Sequence, residues 1–249
     1  MRLTPSLAMV GSLQYGLSGP MDCHVYAIRG PEGVVLIDSG AGTHTETLLA
    51  NVREEFGAEP VKALILTHAH LDHCGGAAAM REATGCVVIT SELTRPIIES
   101  GDEEASGLRA ARIQGTYPAE MRLLPCAVGM TFTDGVPFDA AGIAFRAIHV
   151  RGHSRDSCCF LVCIDGRDSI FAGDVVFYGG VLGVINVDGS GMDGYRSDLY
   201  KLHGLGVEGF FPGHGLFAIT GGQRHIDKAI EQTNNGFMPR QIGQGDLLF

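Results

Sequence analysis

With 249 residues, 45% of them hydrophobic, the chain is long enough to bury a full core, yet it holds no uninterrupted apolar stretch of the roughly 20 residues that a membrane span needs. Its formal charge of -10 at pH 7, with no run of lysine or arginine, repels phosphate backbones and argues against a nucleic-acid partner. Seven cysteines without CxxC spacing argue against a disulfide framework or a cysteine zinc knuckle. The first twenty residues carry Pro5, Ser6 and scattered glycines where an export signal needs a continuous apolar region, so a globular, cytoplasmic protein is the expectation.

In chain order, β-like runs come first at 7–13, 23–28 and 34–38, the last two joined by Gly30-Pro31-Glu32-Gly33, a hairpin signal. Asp38 closes its strand ahead of Ser39-Gly40-Ala41-Gly42, so a carboxylate is presented in a glycine loop. Over 43–56, Leu48, Leu49, Val52 and Phe56 recur near helical spacing and Gly57 ends the segment, which predicts a helix with one buried face.

The strand at 61–66 runs directly into His68, His70, Asp72 and His73, four metal-binding side chains within six residues. Alternate residues of extended chain project the same way, so His68 and His70 can grip one ion from one side. Asp72 and His73, past the bend, can face a second. Imidazole and carboxylate donors suit zinc, and also iron or manganese. Gly75 and Gly76 suit a tight turn into a helix at about 75–83, and Cys74 reads as a small residue filling that turn.

A strand at 86–90 completes a strand, helix, strand crossover. Residues 91–125 then break the rhythm with helical pieces at 91–99 and 103–114, read as an insertion; Pro96 in the first is tolerated only in an opening turn, which moves that helix start later. Leu93, Ile97, Ile98, Leu108, Ala111, Ile113 and Met121 give it an apolar face. Strands resume at 130–132 and 143–150, the latter followed by His153, then at 158–164 and 169–172, closing in Gly173-Asp174. A helix at 195–203, a strand at 209–211 ahead of Pro212-Gly213-His214-Gly215, a helix at 222–232 and an irregular tail from Gly236 complete the chain. With no linker or repeat, one domain spanning 1–249 is expected.

Strand ends thus supply Asp38, the HxHxDH cluster, His153, Asp174 and His214 in order. This series resembles the metallo-β-lactamase superfamily, its glyoxalase II branch in particular. The resemblance implies an α/β fold, the αββα sandwich with metals at one edge of two facing sheets, here with a helical insertion between the second and third metal motifs. It implies two divalent ions: His68, His70 and His153 on the first, Asp72, His73 and His214 on the second, and Asp174 bridging them. Asp38 matches the motif that orients the ligand loop through hydrogen bonds. Zinc is expected in both sites, with iron or manganese as alternatives.

Two divalent ions about 3.5–4 Å apart can share a hydroxide, polarise a carbonyl and stabilise a departing anion. Hydrolysis of a small activated carbonyl compound, a thioester or a lactone, is the expected reaction. Asp72 is a catalytic candidate, able to bind metal and accept a hydrogen bond from the hydroxide. Tyr178 is the other, although Phe177 fills the slot nearer to that of a substrate-binding tyrosine in the superfamily's lactonases, and core packing is its alternative role. A dizinc β-lactamase branch shares HxHxDH but lacks a bridging aspartate such as Asp174. The rival readings are a mononuclear iron persulfide dioxygenase using His68, His153 and Asp174, and a non-catalytic metal-binding protein on the same fold. After His214 only Arg224, Lys228 and Arg240 are positive, so glutathione-binding residues are not transferred. The insertion is read as a substrate-selecting lid, or else as a peripheral or homodimer surface. His24, His44, His149, His203 and His225 match no motif and are read as structural or exposed.

Overall fold

The computed structural model describes residues 1–235 and 238–242. Two compact units divide the chain: Met1–Thr133 with Phe138–Ile143, and Asp134–Pro137 with the chain from Ala144 onward.

The first unit is built on a six-stranded sheet whose spatial order follows the sequence: β1 (Leu7–Gly11), β2 (Val25–Gly30), β3 (Gly33–Ile37), β4 (Val61–Ile65), β5 (Val87–Ser91) and β6 (Met130–Phe132). The first three pair antiparallel, with Gly30 opposite Gly33 across the expected Pro31-Glu32 turn. From β3 to β6 the pairing is parallel, as the crossover helices require. Helix α1 (Thr45–Phe56) buries Leu48, Leu49, Val52 and Phe56, the face its spacing predicts, at about 1.5–3 kcal/mol for each large side chain. Beyond β4 the chain makes a one-turn helix α2 (Leu71–Cys74) and then α3 (Ala77–Thr84).

The insertion holds two short helices, α4 (Arg95–Ser100), with Pro96 in its opening turn, and α5 (Leu108–Ile113). Both are shorter and start later than their sequence pattern suggests. Ile98, Leu108, Leu123 and Cys126 join the core of this unit, whereas Leu93 and Ile113, counted on its apolar face, are exposed.

β7 (Pro137–Ala140) falls mostly within the first unit, and the sheet strands of the second unit have the order β13-β10-β9-β8, comprising β8 (Ile143–His149), β9 (Cys158–Ile164), β10 (Arg167–Gly173) and β13 (Gly209–Pro212). A two-residue ribbon, β11 (Val176–Phe177) with β12 (Val181–Leu182), follows β10. Helix α6 (Met192–Asp198) runs into a 3₁₀ turn, Leu199–Leu202, and α7 is Gln223–Asn234. The pattern-based start of α6 at 195 is three residues late because Gly194 reads as a breaker. Its lack of a side chain is what lets the helix approach the strand end: an added Cβ would lie 2.7 Å from the Gly152 nitrogen. Of the tail expected to be irregular from Gly236, only 238–242 fall within the described residues, and Gln241 bridges Leu182 there. Among the described residues no helix is long and apolar enough to cross a membrane.

Asp198 ties α6 to the end of β8. Its carboxylate accepts from the Arg151 backbone at 3.1 Å and from Arg151 Nε at 2.6 Å, and it faces Lys201 Nζ at 3.3 Å. Burial alone would raise its pKa, but the hydrogen bonds from Arg151 and the charge of Lys201 hold it well below the usual carboxylate range. A depressed pKa in the folded state stabilises above the unfolded value of about 3.9 and loses that contribution as the pH falls toward the folded one. Asp198→Asn is therefore expected to be less stable than the parent by about 1–2 kcal/mol near neutrality. Melting temperatures recorded from pH 7 to pH 3 should show that gap closing below about pH 4.

Candidate metal centre

In the first unit β4 lies between β3 and β5, and the ligand loop leaves its C-terminal end, where parallel sheets commonly present functional groups. The strand stops at Ile65, earlier than its apolar run, so His68 and His70 stand in loop. Their rings still meet, nearly perpendicular at 82°, with His68 Nε2 lying 3.0 Å from His70 Nδ1. Asp72 and His73 belong to α2.

Asp38, just past the neighbouring strand β3, adopts a positive φ of 63°, tolerated better by Asp than by most residues. Its Oδ1 accepts the Thr67 backbone N–H at 2.8 Å, and its Oδ2 lies 2.9 Å from Thr67 Oγ1 and 2.8 Å from His73 Nδ1. Since Asp38 is acceptor-only when ionised, His73 Nδ1–H must donate, which leaves Nε2 of His73 as the basic nitrogen. The Thr67 hydroxyl spends its one proton on Asp38, so its contact with His68 Nδ1 at 2.9 Å makes that nitrogen the donor and Nε2 the acceptor again. One carboxylate thus sets the tautomers of two imidazoles. His73 Nε2 in turn lies 3.4 Å from Asp72 Oδ2.

Cys23 also comes near this pair, its thiol lying with donor atoms of Asp38 and His73 inside 4.8 Å. Burial pushes that thiol far up, and the imidazole and carboxylate already bond each other, so Cys23 packs as a small apolar residue. Cys74 is buried, with Sγ donating to the Ala69 carbonyl at 3.2 Å, the turn-filling role its position suggested.

The second unit presents His153 after β8, Asp174 directly after β10 and His214 after β13, all buried. Asp174 Oδ2 stands 3.5 Å from His153 Nε2 and 3.5 Å from His214 Nε2. His153 Nδ1 donates to the Gly183 carbonyl at 2.6 Å, which again leaves Nε2 basic. Two residues with no motif signature hold this arrangement. Tyr195 is fully buried; its hydroxyl donates to the Val175 carbonyl at 2.9 Å and accepts the Gly183 N–H at 3.1 Å, fixing the segment that orients His153. Gly183 must be glycine: a Cβ there would lie 1.9 Å from the Asp174 carbonyl oxygen and 2.9 Å from His153 Nδ1.

Tyr178 is 37% exposed, and its ring lies 4.1 Å from that of His225. Phe177 is buried, with its ring 6.2 Å from His214. Burial, with Arg224 and Lys228 adding repulsion, lowers the pKa of His225. The neutral ring accepts the Gly179 N–H at 3.0 Å.

The donor set fits a divalent ion on its own chemistry. Two ligands on one tetrahedral zinc, each at 2.0–2.1 Å, are separated by about 3.3 Å. The spacings of 3.4 and 3.5 Å between imidazole nitrogen and carboxylate oxygen match that separation and exceed an ordinary charge-assisted hydrogen bond of about 2.7–2.9 Å.

The family model of the metallo-beta-lactamase superfamily matches residues 18–214, from ahead of Asp38 to His214. The chain belongs to this superfamily. An uncharacterized protein of Mycobacterium leprae is 30% identical over 84% of this chain and 93% of its own length. An atrochrysone carboxyl ACP thioesterase of Aspergillus fumigatus is 29% identical over 80% of this chain, which spans about half (52%) of that relative. Among solved structures, a metallo-beta-lactamase HARLDQ motif mutant from Cronobacter sakazakii superposes with a TM-score of 0.68 at 21% identity, covering 93% of each chain. BJP-1, a subclass B3 metallo-beta-lactamase of Bradyrhizobium japonicum, gives 0.70 at 18% identity over 93% of this chain and 89% of its own. At those identities the likeness shows the fold, and it is the metallo-beta-lactamase fold that the motif series implied. The protein is accordingly a metallo-beta-lactamase superfamily hydrolase.

Asp38→Asn replaces one acceptor oxygen with an NH2 donor and removes the charge, so the Thr67 amide, the Thr67 hydroxyl and His73 Nδ1 can no longer all be met. Zinc affinity measured by chelator competition should fall about 10–100-fold, the usual effect of losing such a partner. An unchanged affinity would show that the carboxylate does not set these ligands.

Proposed function

We propose that the seven donors act as one set, as the family resemblance implies: His68, His70 and His153 for one divalent ion, Asp72, His73 and His214 for another, and Asp174 for both. The reaction proposed is hydrolysis of a thioester, with lactones as the neighbouring substrate class, in the manner of the glyoxalase II branch. The observation that carries this reading is the intact donor set: each unit presents imidazole nitrogens and carboxylate oxygens at metal-ligand spacing, with basic Nε2 atoms secured by Asp38 and the Gly183 carbonyl. The thioesterase relative, at 29% identity, supports a thioester in particular.

Bound there, a pair of zinc ions would supply a water of lowered pKa and a Lewis acid for the carbonyl. The chain's own residues do the rest. Asp38 and Gly183 hold imidazole protons on Nδ1, so the lone pairs point to the centre without reorganisation. Asp72 carries one oxygen facing His73 and a second that accepts other hydrogen bonds, which equips it to orient an attacking water. Tyr178, partly exposed, is proposed as the donor to the substrate carbonyl. The charge of -10 favours a small-molecule substrate over nucleic acid, and seven free thiols suit a reducing, cytoplasmic setting.

The test combines metal analysis with a panel of thioesters, lactones and phosphodiesters, run beside oxygen uptake with a persulfide. Two ions per chain and thioester turnover are expected. One iron per chain with persulfide-dependent oxygen uptake would establish the dioxygenase chemistry instead, and a metal-loaded protein inert toward every substrate would favour a binding role. Asp72→Asn and His214→Ala should each lower kcat by about 100-fold or more. Cys74→Ser, which keeps the hydrogen bond to Ala69, should stay near parent activity; its inactivation at unchanged metal content would assign the thiol a role.

A further inference from the structure

Asp72 sits in a helix of one turn, too short to immobilise its side chain by itself, and its carboxylate is 15% exposed. What reaches it is a residue 45 positions away. The hydroxyl of Tyr117, in the insertion, donates to Asp72 Oδ1 at 2.9 Å, while Oδ2 faces His73 Nε2. The tyrosine ring packs with Met121 against the core of the first unit, and Arg112 braces that stretch through the Met121 carbonyl at 2.7 Å and an ion pair with Glu103. Because the phenol is rigid, the packing of its ring decides where the hydroxyl stands. The insertion also meets the ligand loop at Gly107, where a Cβ would lie 3.8 Å from His70 Cδ2.

We infer that Tyr117 is a positioning residue for Asp72: by engaging Oδ1 it fixes the carboxylate so that Oδ2 is the oxygen turned toward His73 Nε2 and a metal ion. A hydrogen bond to a charged acceptor is among the stronger side-chain contacts, and here it replaces the rotamer control that α2 does not provide. It also makes the insertion part of the metal centre, since any displacement of 115–121 releases Asp72. This inference rests on the proposed metal pair.

The experiment is stepwise zinc binding by chelator competition on the full-length parent, Tyr117→Phe, Asp72→Ala and the double variant, with the visible spectrum of the cobalt-loaded proteins and metal-free melting temperatures alongside. Phe keeps the ring and its packing. The expected result is that Tyr117→Phe weakens one of the two binding steps about 10–100-fold and alters the cobalt spectrum, with the other step unchanged and the metal-free melting temperature lowered by no more than several degrees, as loss of one hydrogen bond implies. In the Asp72→Ala background, which leaves the hydroxyl no acceptor at this position, the same replacement should add nothing. Two unchanged steps and an unchanged spectrum, or an equal loss in both backgrounds, would overturn the role of Tyr117. A parent that binds fewer than two ions would overturn the metal pair itself, and the inference with it.

Discussion

The carboxylate of Asp38 is the constraint on which the first half of the metal centre depends. It is buried, held in a left-handed conformation at the end of β3, and satisfied by a backbone amide, a hydroxyl and an imidazole. A buried carboxylate persists only when its charge is met by such donors. Here the donors belong to the loop that carries His68 and His73. Stabilising the charge and orienting the ligands are therefore a single arrangement, and both imidazoles are left with their Nε2 lone pairs outward. In the second unit a backbone carbonyl does the equivalent work for His153, and Tyr195 secures that carbonyl's segment.

The elements that carry this chemistry were legible because each ends in an abrupt change of residue type. The apolar runs of β3, β4, β10 and β13 stop at Asp38, the histidine cluster, Asp174 and His214, and a buried strand end followed by imidazole or carboxylate has few other physical explanations. Helix α1 was legible through Leu48, Leu49, Val52 and Phe56. The Pro31-Glu32 turn followed from its flanking glycines, and Pro96 rightly pointed to a later start for α4.

What escaped the sequence had no local signal. The one-turn α2 is too short for periodicity. The ribbon β11–β12 spans two residues a side, and β7 begins with Pro137 and carries Asp139, so alternation fails. Tyr117 and Tyr195 are ordinary aromatics until folding brings them to Asp72 and to Gly183; 45 and 12 residues separate those pairs, and no spacing rule links them. Leu93 and Ile113 show the opposite error, in which apolar character was taken for burial although single exposed aliphatic residues are common. Tyr178, weighed between catalysis and packing, stands partly exposed with its ring against His225.

The central claim is that the seven donors hold two ions with Asp174 shared between them. The most direct measurement is a crystal structure of the zinc-loaded protein with anomalous differences recorded on both sides of the zinc edge. The account predicts two anomalous peaks about 3.5–4 Å apart, nitrogen ligands at about 2.0–2.1 Å, and one Asp174 carboxylate touching both. A single peak at full loading, with His214 turned away from it, would contradict the account.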